Sequence, residues 1–182
     1  MNILDRKWFG ALVMVILIIA GTFLGCRLTI HSFYSDLEQI FYHGQDGDGI
    51  CIENDLSSRA EDAVNLTTIA GKYSDIDEKL TADVKQCAAQ LTSAAEISEK
   101  KEADDRLTAA FSALYEELEG CGLSEKDEKY RSRLYADFRS RAEIISHDPY
   151  NAAAAEYNSK IDSFPASLIN RLSGGSEAVL FY

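Results

Sequence analysis

This chain has little of what breaks helices and few of the clusters that carry chemistry. Two prolines and eleven glycines in 182 residues, set against abundant Ala, Leu, Glu, Lys and Arg, argue against a sheet-rich protein and for a mostly helical one. Basic residues are scarce: 18 Lys and Arg face 30 Asp and Glu, and a net charge of -12 repels phosphate backbones and anionic lipid heads. Nucleic acid is therefore not an expected partner. The four cysteines, Cys26, Cys51, Cys87 and Cys121, stand far apart with no CxxC or Cys/His ligand spacing, so neither a zinc site nor a redox motif is indicated. The three histidines, His31, His43 and His147, have no HExxH context, and Glu143 to His147 is misspaced for the Glu-x-x-His of di-iron bundles. No Gly-x-Ser-x-Gly elbow occurs, since Gly174-Gly175-Ser176 lacks the pattern. Acidic pairs such as Asp104-Asp105 and Glu116-Glu117 read as solvated helix faces rather than paired catalytic carboxylates. No catalytic residue, cofactor or metal ligand is expected, and the protein reads as a non-enzyme.

What the chain does have is an apolar run, Trp8 to Gly25, eighteen residues without a charge, which reaches the length of a membrane-spanning helix. It is longer than the apolar region of a cleaved secretory signal, and Thr22-Phe23-Leu24-Gly25 offers no small-x-small cleavage site. The alternative is a lipoprotein anchored through Cys26, but Phe23 and Leu24 are too bulky for the residues that precede a lipidated cysteine. A retained single-pass anchor is favoured. Arg6 and Lys7 precede the run, and after Arg27 no Lys or Arg occurs until Arg59 while acids accumulate. That bias favours the N-terminus inside and the following domain outside.

An apolar pattern through Ile30, Phe33, Leu37, Ile40 and Phe41 extends the anchor helix out of the bilayer, until His43-Gly44-Gln45-Asp46-Gly47-Asp48-Gly49 breaks it. This loop is no P-loop, since Ile50 and Cys51 stand where Lys and Ser/Thr are required. It is also no EF-hand, since Cys51 falls where glycine is needed and Ser57 where glutamate closes the site, so a solvated turn is expected. Four amphipathic stretches follow. The first runs from about Cys51 to Tyr73; the second starts near Asp75, with Ile76, Leu80, Val84, Cys87, Leu91 and Ala94 on its stripe. The third carries Ala103, Leu107, Phe111, Leu114 and Leu118 up to Gly120-Cys121-Gly122. The fourth opens at Ser124 and carries Tyr130, Leu134, Phe138, Ala142 and Ile145. The expected fold is all-α: an N-terminal transmembrane helix, then an antiparallel bundle of about four long helices. The expected organisation is an anchor over 1–27, a juxtamembrane helix and Gly/Asp loop over 28–50, and the bundle over 51–182. Cys51 and Cys121 then lie at opposite ends of the bundle with Cys87 between, so no disulfide is expected within it.

At His147-Asp148-Pro149 the fourth helix ends or kinks, with Asp148 placed to cap a restart at Pro149. Beyond lie two Tyr-Asn pairs seven residues apart, Tyr150-Asn151 and Tyr157-Asn158, then Phe164-Pro165. Tyr150, Ala153, Tyr157, Ile161 and Phe164 should share one face, packed over small alanines with the tyrosine hydroxyls bonded at its edge. The segment YNAAAAEYNSKIDSFPASLI, with the terminal Val179-Leu180-Phe181-Tyr182, resembles the C-terminal signature of the LemA family. Ile52, Leu56, Arg59, Asn65, Leu66 and Tyr73 are similar, without a gap, to the family's N-terminal helix pattern. Val64 in place of a proline, Ser58 in place of an arginine, the break at Pro149 and the Gly44–Gly49 loop make it a divergent member. The resemblance implies a single-pass bacterial membrane protein with a long-helix bundle and no assigned enzymatic activity. It also implies a cytoplasmic helical domain, against the charge bias, and an accessory or regulatory role beside a membrane-bound protease.

Two functional classes follow. One is a membrane-anchored scaffold that binds another envelope protein, with Tyr150, Asn151, Tyr157, Asn158, Phe164 and Pro165, or the apolar C-terminal tail, as the contact surface. The other is a metal-binding or enzymatic bundle, which needs polar residues converging between the helices; the apolar stripes argue against it.

Overall fold

A computed structural model describes residues 3–182 other than Gly174, with side chains from Trp8 onward except that of Ser173. Among these residues there is no strand. Helix α1 (Ile3–His43) carries the apolar run and the juxtamembrane pattern as one element, and its stretch from Trp8 is long and apolar enough to cross a membrane. The side chains from Trp8 to Ile19 are exposed.

Helix α1 ends in the glycine loop because three glycines take the left-handed backbone region: φ is 82° at Gly44, 74° at Gly47 and 79° at Gly49. A single 3-10 turn, Gln45–Gly47, forms there, and the loop is closed by Gly49 N–H donating to His43 O at 2.9 Å. Asp48 Oδ1 accepts Ile50 N–H at 2.9 Å, so this carboxylate is engaged in the turn itself.

By packing, the chain forms two compact units. One comprises α1 up to Glu38 together with Ala153–Ala178; the other comprises Gln39–Ala152 and Val179–Tyr182. The second unit holds the bundle: α2 (Ile52–Ala70), α3 (Glu78–Ser93), α4 (Ile97–Glu119) and α5 (Glu125–Ser146). Helix α2 packs against α3, α4 and α5, and α3 packs against α4. Its core is the expected stripes: Leu56, Ala63 and Leu66 of α2, Val84 and Leu91 of α3, Leu107, Phe111 and Leu114 of α4, and Leu134 and Phe138 of α5. The expected all-α fold, a long apolar N-terminal helix followed by a helical bundle, is the one observed.

Several details differ from the sequence reading. Helix α2 stops at Ala70, three residues before Tyr73, whose hydroxyl turns to Asp127 and Ser124. Helix α3 starts at Glu78 because Asp77 Oδ1 caps it, accepting Lys79 N–H at 2.8 Å. Helix α4 starts at Ile97, earlier than the apolar pattern shows, because Glu96 and Glu99 cap reciprocally. Tyr130 and Ala142 of α5 are exposed, while Asp127 and Arg131, on either side of Tyr130, are buried. Cys87 is half-buried, with Ala88 taking the inner position.

Helix α6 (Pro149–Asp162) restarts the chain as expected, Asp148 Oδ1 accepting Tyr150 N–H at 2.8 Å. In the first unit, Tyr157 of α6 packs on Tyr34 of α1, their ring centroids 5.8 Å apart, and Ile161 is buried. Phe164-Pro165, joined by a cis peptide bond, leads into α7 (Ala166–Ser173).

Candidate functional site

The polar centre of the bundle is Arg59, 2% exposed. Its position on α2, between Leu56 and Ala63, aims it at the core, where a cation needs partners on every donor. Asp104 and Thr108, four residues apart on one face of α4, supply two of them: Nε donates to Asp104 Oδ1 at 2.8 Å and Nη2 to Thr108 Oγ1 at 2.6 Å. Nη1 donates to Phe138 O at 2.8 Å, and the guanidinium lies over the Phe138 ring at 3.9 Å. Asp104 was expected on a solvated acidic face, and the structure corrects this, because the partner that makes it internal comes from another helix. Burial raises the Asp104 carboxyl above its usual range, against the opposing pull of Arg59.

From Phe138 an aromatic series continues, stacked on Phe111 at 4.0 Å; Tyr115 and Tyr135 stack at 4.3 Å. Arg131 covers Tyr115 at 4.1 Å, donates to Tyr115 O at 2.8 Å and pairs with Glu128. A cleft of about 380 Å³ opens beside this series, lined by Arg59, Asp104, Tyr135, Phe138, Arg139 and the tail residues Phe181 and Tyr182. Two further knots close the bundle. Lys100, buried, pairs with Glu53 at 2.9 Å. Asp127 receives Lys72, the Tyr73 hydroxyl at 2.9 Å and the Ser124 hydroxyl at 2.9 Å, and these bonds hold its carboxyl at about 2.

The Tyr-Asn residues singled out in sequence lie in the two units and do parallel work there. In the second unit Asn151 is buried; its Oδ1 accepts Phe181 N–H at 2.7 Å and its Nδ2 donates to Ile145 O at 2.8 Å. Tyr150 donates its hydroxyl to Val179 O at 3.0 Å, and Phe41, Tyr150 and Phe181 form an aromatic cluster. In the first unit Asn158 forms a two-bonded amide pair with Ala178, donating to its O at 2.9 Å and accepting its N–H at 2.7 Å. Tyr157 is buried, and burial raises its hydroxyl pKa. Pro165 is half-buried, but Phe164 is 84% exposed and does not share the Tyr150–Ile161 face, because α6 ends at Asp162. Ala154, not Ala153, is the fully buried alanine of that face. The apolar tail expected as a contact surface is turned inward at Phe181, while Tyr182 is 82% exposed.

Sequence reasoning missed the Arg59–Asp104 pair and the tail backbone at Ala178 and Phe181 that Asn158 and Asn151 hold. The Arg in an otherwise apolar face of α2 was the available signal for the first; nothing periodic marks the second.

Ser146 and His147 come within 2.9 Å, but only through His147 Nδ1, the same nitrogen that faces Glu143 O at 2.9 Å. A relay needs the two ring nitrogens to serve different partners, so this is a local helix-end contact. Among the described residues no group of three His, Cys, Asp or Glu is placed to hold a metal ion. All four cysteines are free, Cys26 half-buried at the end of the apolar run.

Buried polar pairs inside a helical bundle, preceded by a helix long and apolar enough to cross a membrane, define an all-α bundle protein. The chain belongs to the LemA family, whose model matches residues 50–182. No curated protein and no solved structure matches it.

Proposed function

We propose that this chain is a membrane-anchored scaffold of the bacterial cell envelope, held by Trp8 to Gly25, whose bundle engages another envelope protein and catalyses no reaction. The observation that carries this reading is that the most deeply buried charged groups of the bundle are bonded to other groups of the fold. Arg59, Lys100, Arg131 and Asp127 are each bonded within the fold, which leaves them structural work rather than chemistry. The cleft rim at Tyr135, Arg139 and exposed Tyr182 supplies the contact surface, being rich in the aromatic and arginine side chains that dominate interfaces. The charge bias around the span supports an extracytoplasmic bundle.

The test is a photo-crosslinking residue at position 182 in native membranes. A discrete adduct identified as an envelope protein supports the scaffold reading; no adduct at 182 or 139 sinks it. Alkaline phosphatase fused after Tyr182 reads the orientation, since its disulfides form only outside the reducing cytoplasm, and an expressed but inactive fusion overturns the external placement. Stoichiometric iron, zinc or manganese in the purified protein would favour a metal-binding bundle instead. A mass increase of an acyl chain on a fragment starting at Cys26 would replace the retained span by a lipid anchor.

A further inference from the structure

The first unit carries an apolar feature that its own packing leaves outside. Phe164 is 84% exposed and Leu168, four residues on in α7, is 55% exposed, while the next residue, Ile169, is buried. The corner from α6 into α7 therefore splits its apolar residues, with Ile169 inward and Phe164 and Leu168 outward. Exposed aromatic and leucine side chains four residues apart are an apolar surface in want of a cover.

The position of this corner says what covers it. Ala166, between Phe164 and Leu168, lines a groove of about 410 Å³ with Thr22, Gly25, Cys26 and Thr29 of α1, all within the same compact unit. Thr22 to Gly25 are the last residues of the uncharged run, where a span of eighteen residues leaves the hydrocarbon. The headgroup layer adds roughly 5 to 7 Å on each side of the hydrocarbon core. A rise of 1.5 Å per residue puts Cys26 and Thr29 of α1 in that layer. Ala166 lines the same groove, so Phe164 and Leu168 on either side of it lie close to the depth where amphipathic rings and leucines partition.

We propose that the Phe164–Leu168 corner is a second membrane contact, entering the headgroup layer of the leaflet from which α1 emerges. The proposal rests on the reading of Trp8 to Gly25 as a bilayer span. Its occupant is the lipid surface itself, and apolar insertion, not charge, drives it. Lys160, the nearest cation in the groove, is already paired with Glu156 at 2.7 Å and lies over the Phe33 ring at 3.9 Å.

The chain's one tryptophan makes the test direct. The full chain is reconstituted in phosphatidylcholine vesicles with and without bromine on the acyl chains near the carbonyl end. Trp8 in the wild type reports the span. Phe164→Trp in a Trp8→Phe background reports the corner, at a position whose exposure lets the fold accept the larger ring. The expected result is blue-shifted emission and severalfold quenching by brominated lipid at both positions. Quenching of Trp8 with water-like, unquenched emission at 164 would overturn the corner contact and leave the span intact. Blue-shifted but unquenched emission at 164 would mean cover by protein and would also overturn it. An unquenched Trp8 would overturn the span, and the proposal with it.

Discussion

Asn151 and Phe181 lie thirty residues apart and are joined side chain to backbone, Asn151 Oδ1 accepting Phe181 N–H at 2.7 Å. Both are buried, and the same amide satisfies Ile145 O at the end of α5. One side chain thus completes the backbone pairing of a helix end and of an extended segment, two places where regular structure supplies no partner.

Asn151→Ala should therefore lower stability by about 2 kcal/mol, the cost of a buried polar group left unpaired. Thermal unfolding of the full chain in detergent measures it. Asn158→Ala, at a half-buried position, should cost less, and equal losses would count against burial as the cause.

Arg59 and Asp104 should behave as a unit. Arg59→Met strands a carboxylate whose side chain is 13% exposed, and a loss of about 3 kcal/mol is expected. Pairing it with Asp104→Leu should recover most of that loss. A double mutant no better than the single would show that the pairing is not what the site needs.

Asp127 sets an acid limit. Its carboxyl is held at about 2, below the ordinary 3.8, chiefly by its bond from Lys72. A depressed carboxylate contributes fully above its unfolded value and loses that contribution as pH falls through the folded one. Stability should thus fall between pH 3.8 and about 2 on this account. Asp127→Asn should flatten that limb while leaving the profile above it parallel, which acid titration of the unfolding midpoint would read.

Gly44→Ala should cost about 2 kcal/mol, since φ is 82° there and an added Cβ would collide with Asp48 Oδ1 and Ile50 O. Gly47→Ala, with open space around it, keeps only the backbone strain at φ 74° and should cost less.

Much of this fold is legible in sequence because its apolar stripes are regular. Ala103, Leu107, Phe111, Leu114 and Leu118 repeat at three and four and are all buried. The misreadings share a cause. Tyr130 falls on the apolar stripe of α5 yet stays outside, while Arg131 beside it is buried with its planar group on Tyr115. Asp104 beside Asp105 looks like solvated charge until Arg59 arrives from α2. Glu96 starts α4 through a reciprocal cap with a residue type that start signals discount. In each instance the deciding partner lies outside the window that a local pattern can see. The site was less legible than the fold: the doubled Tyr-Asn stood out, but its partners in an aperiodic tail did not.

The hold on that tail is addressed to peptide groups. Tyr150 reads Val179 through its carbonyl, Asn158 reads Ala178 through its N–H and carbonyl, and Asn151 reads Phe181 through its N–H. Val179 and Leu180 are half-buried, and no side-chain bond fixes their identity. Random substitution should therefore pass easily at 179 and 180 and poorly at 151 and 158. The specification of where the chain's last residues lie is written some twenty to thirty positions upstream of them.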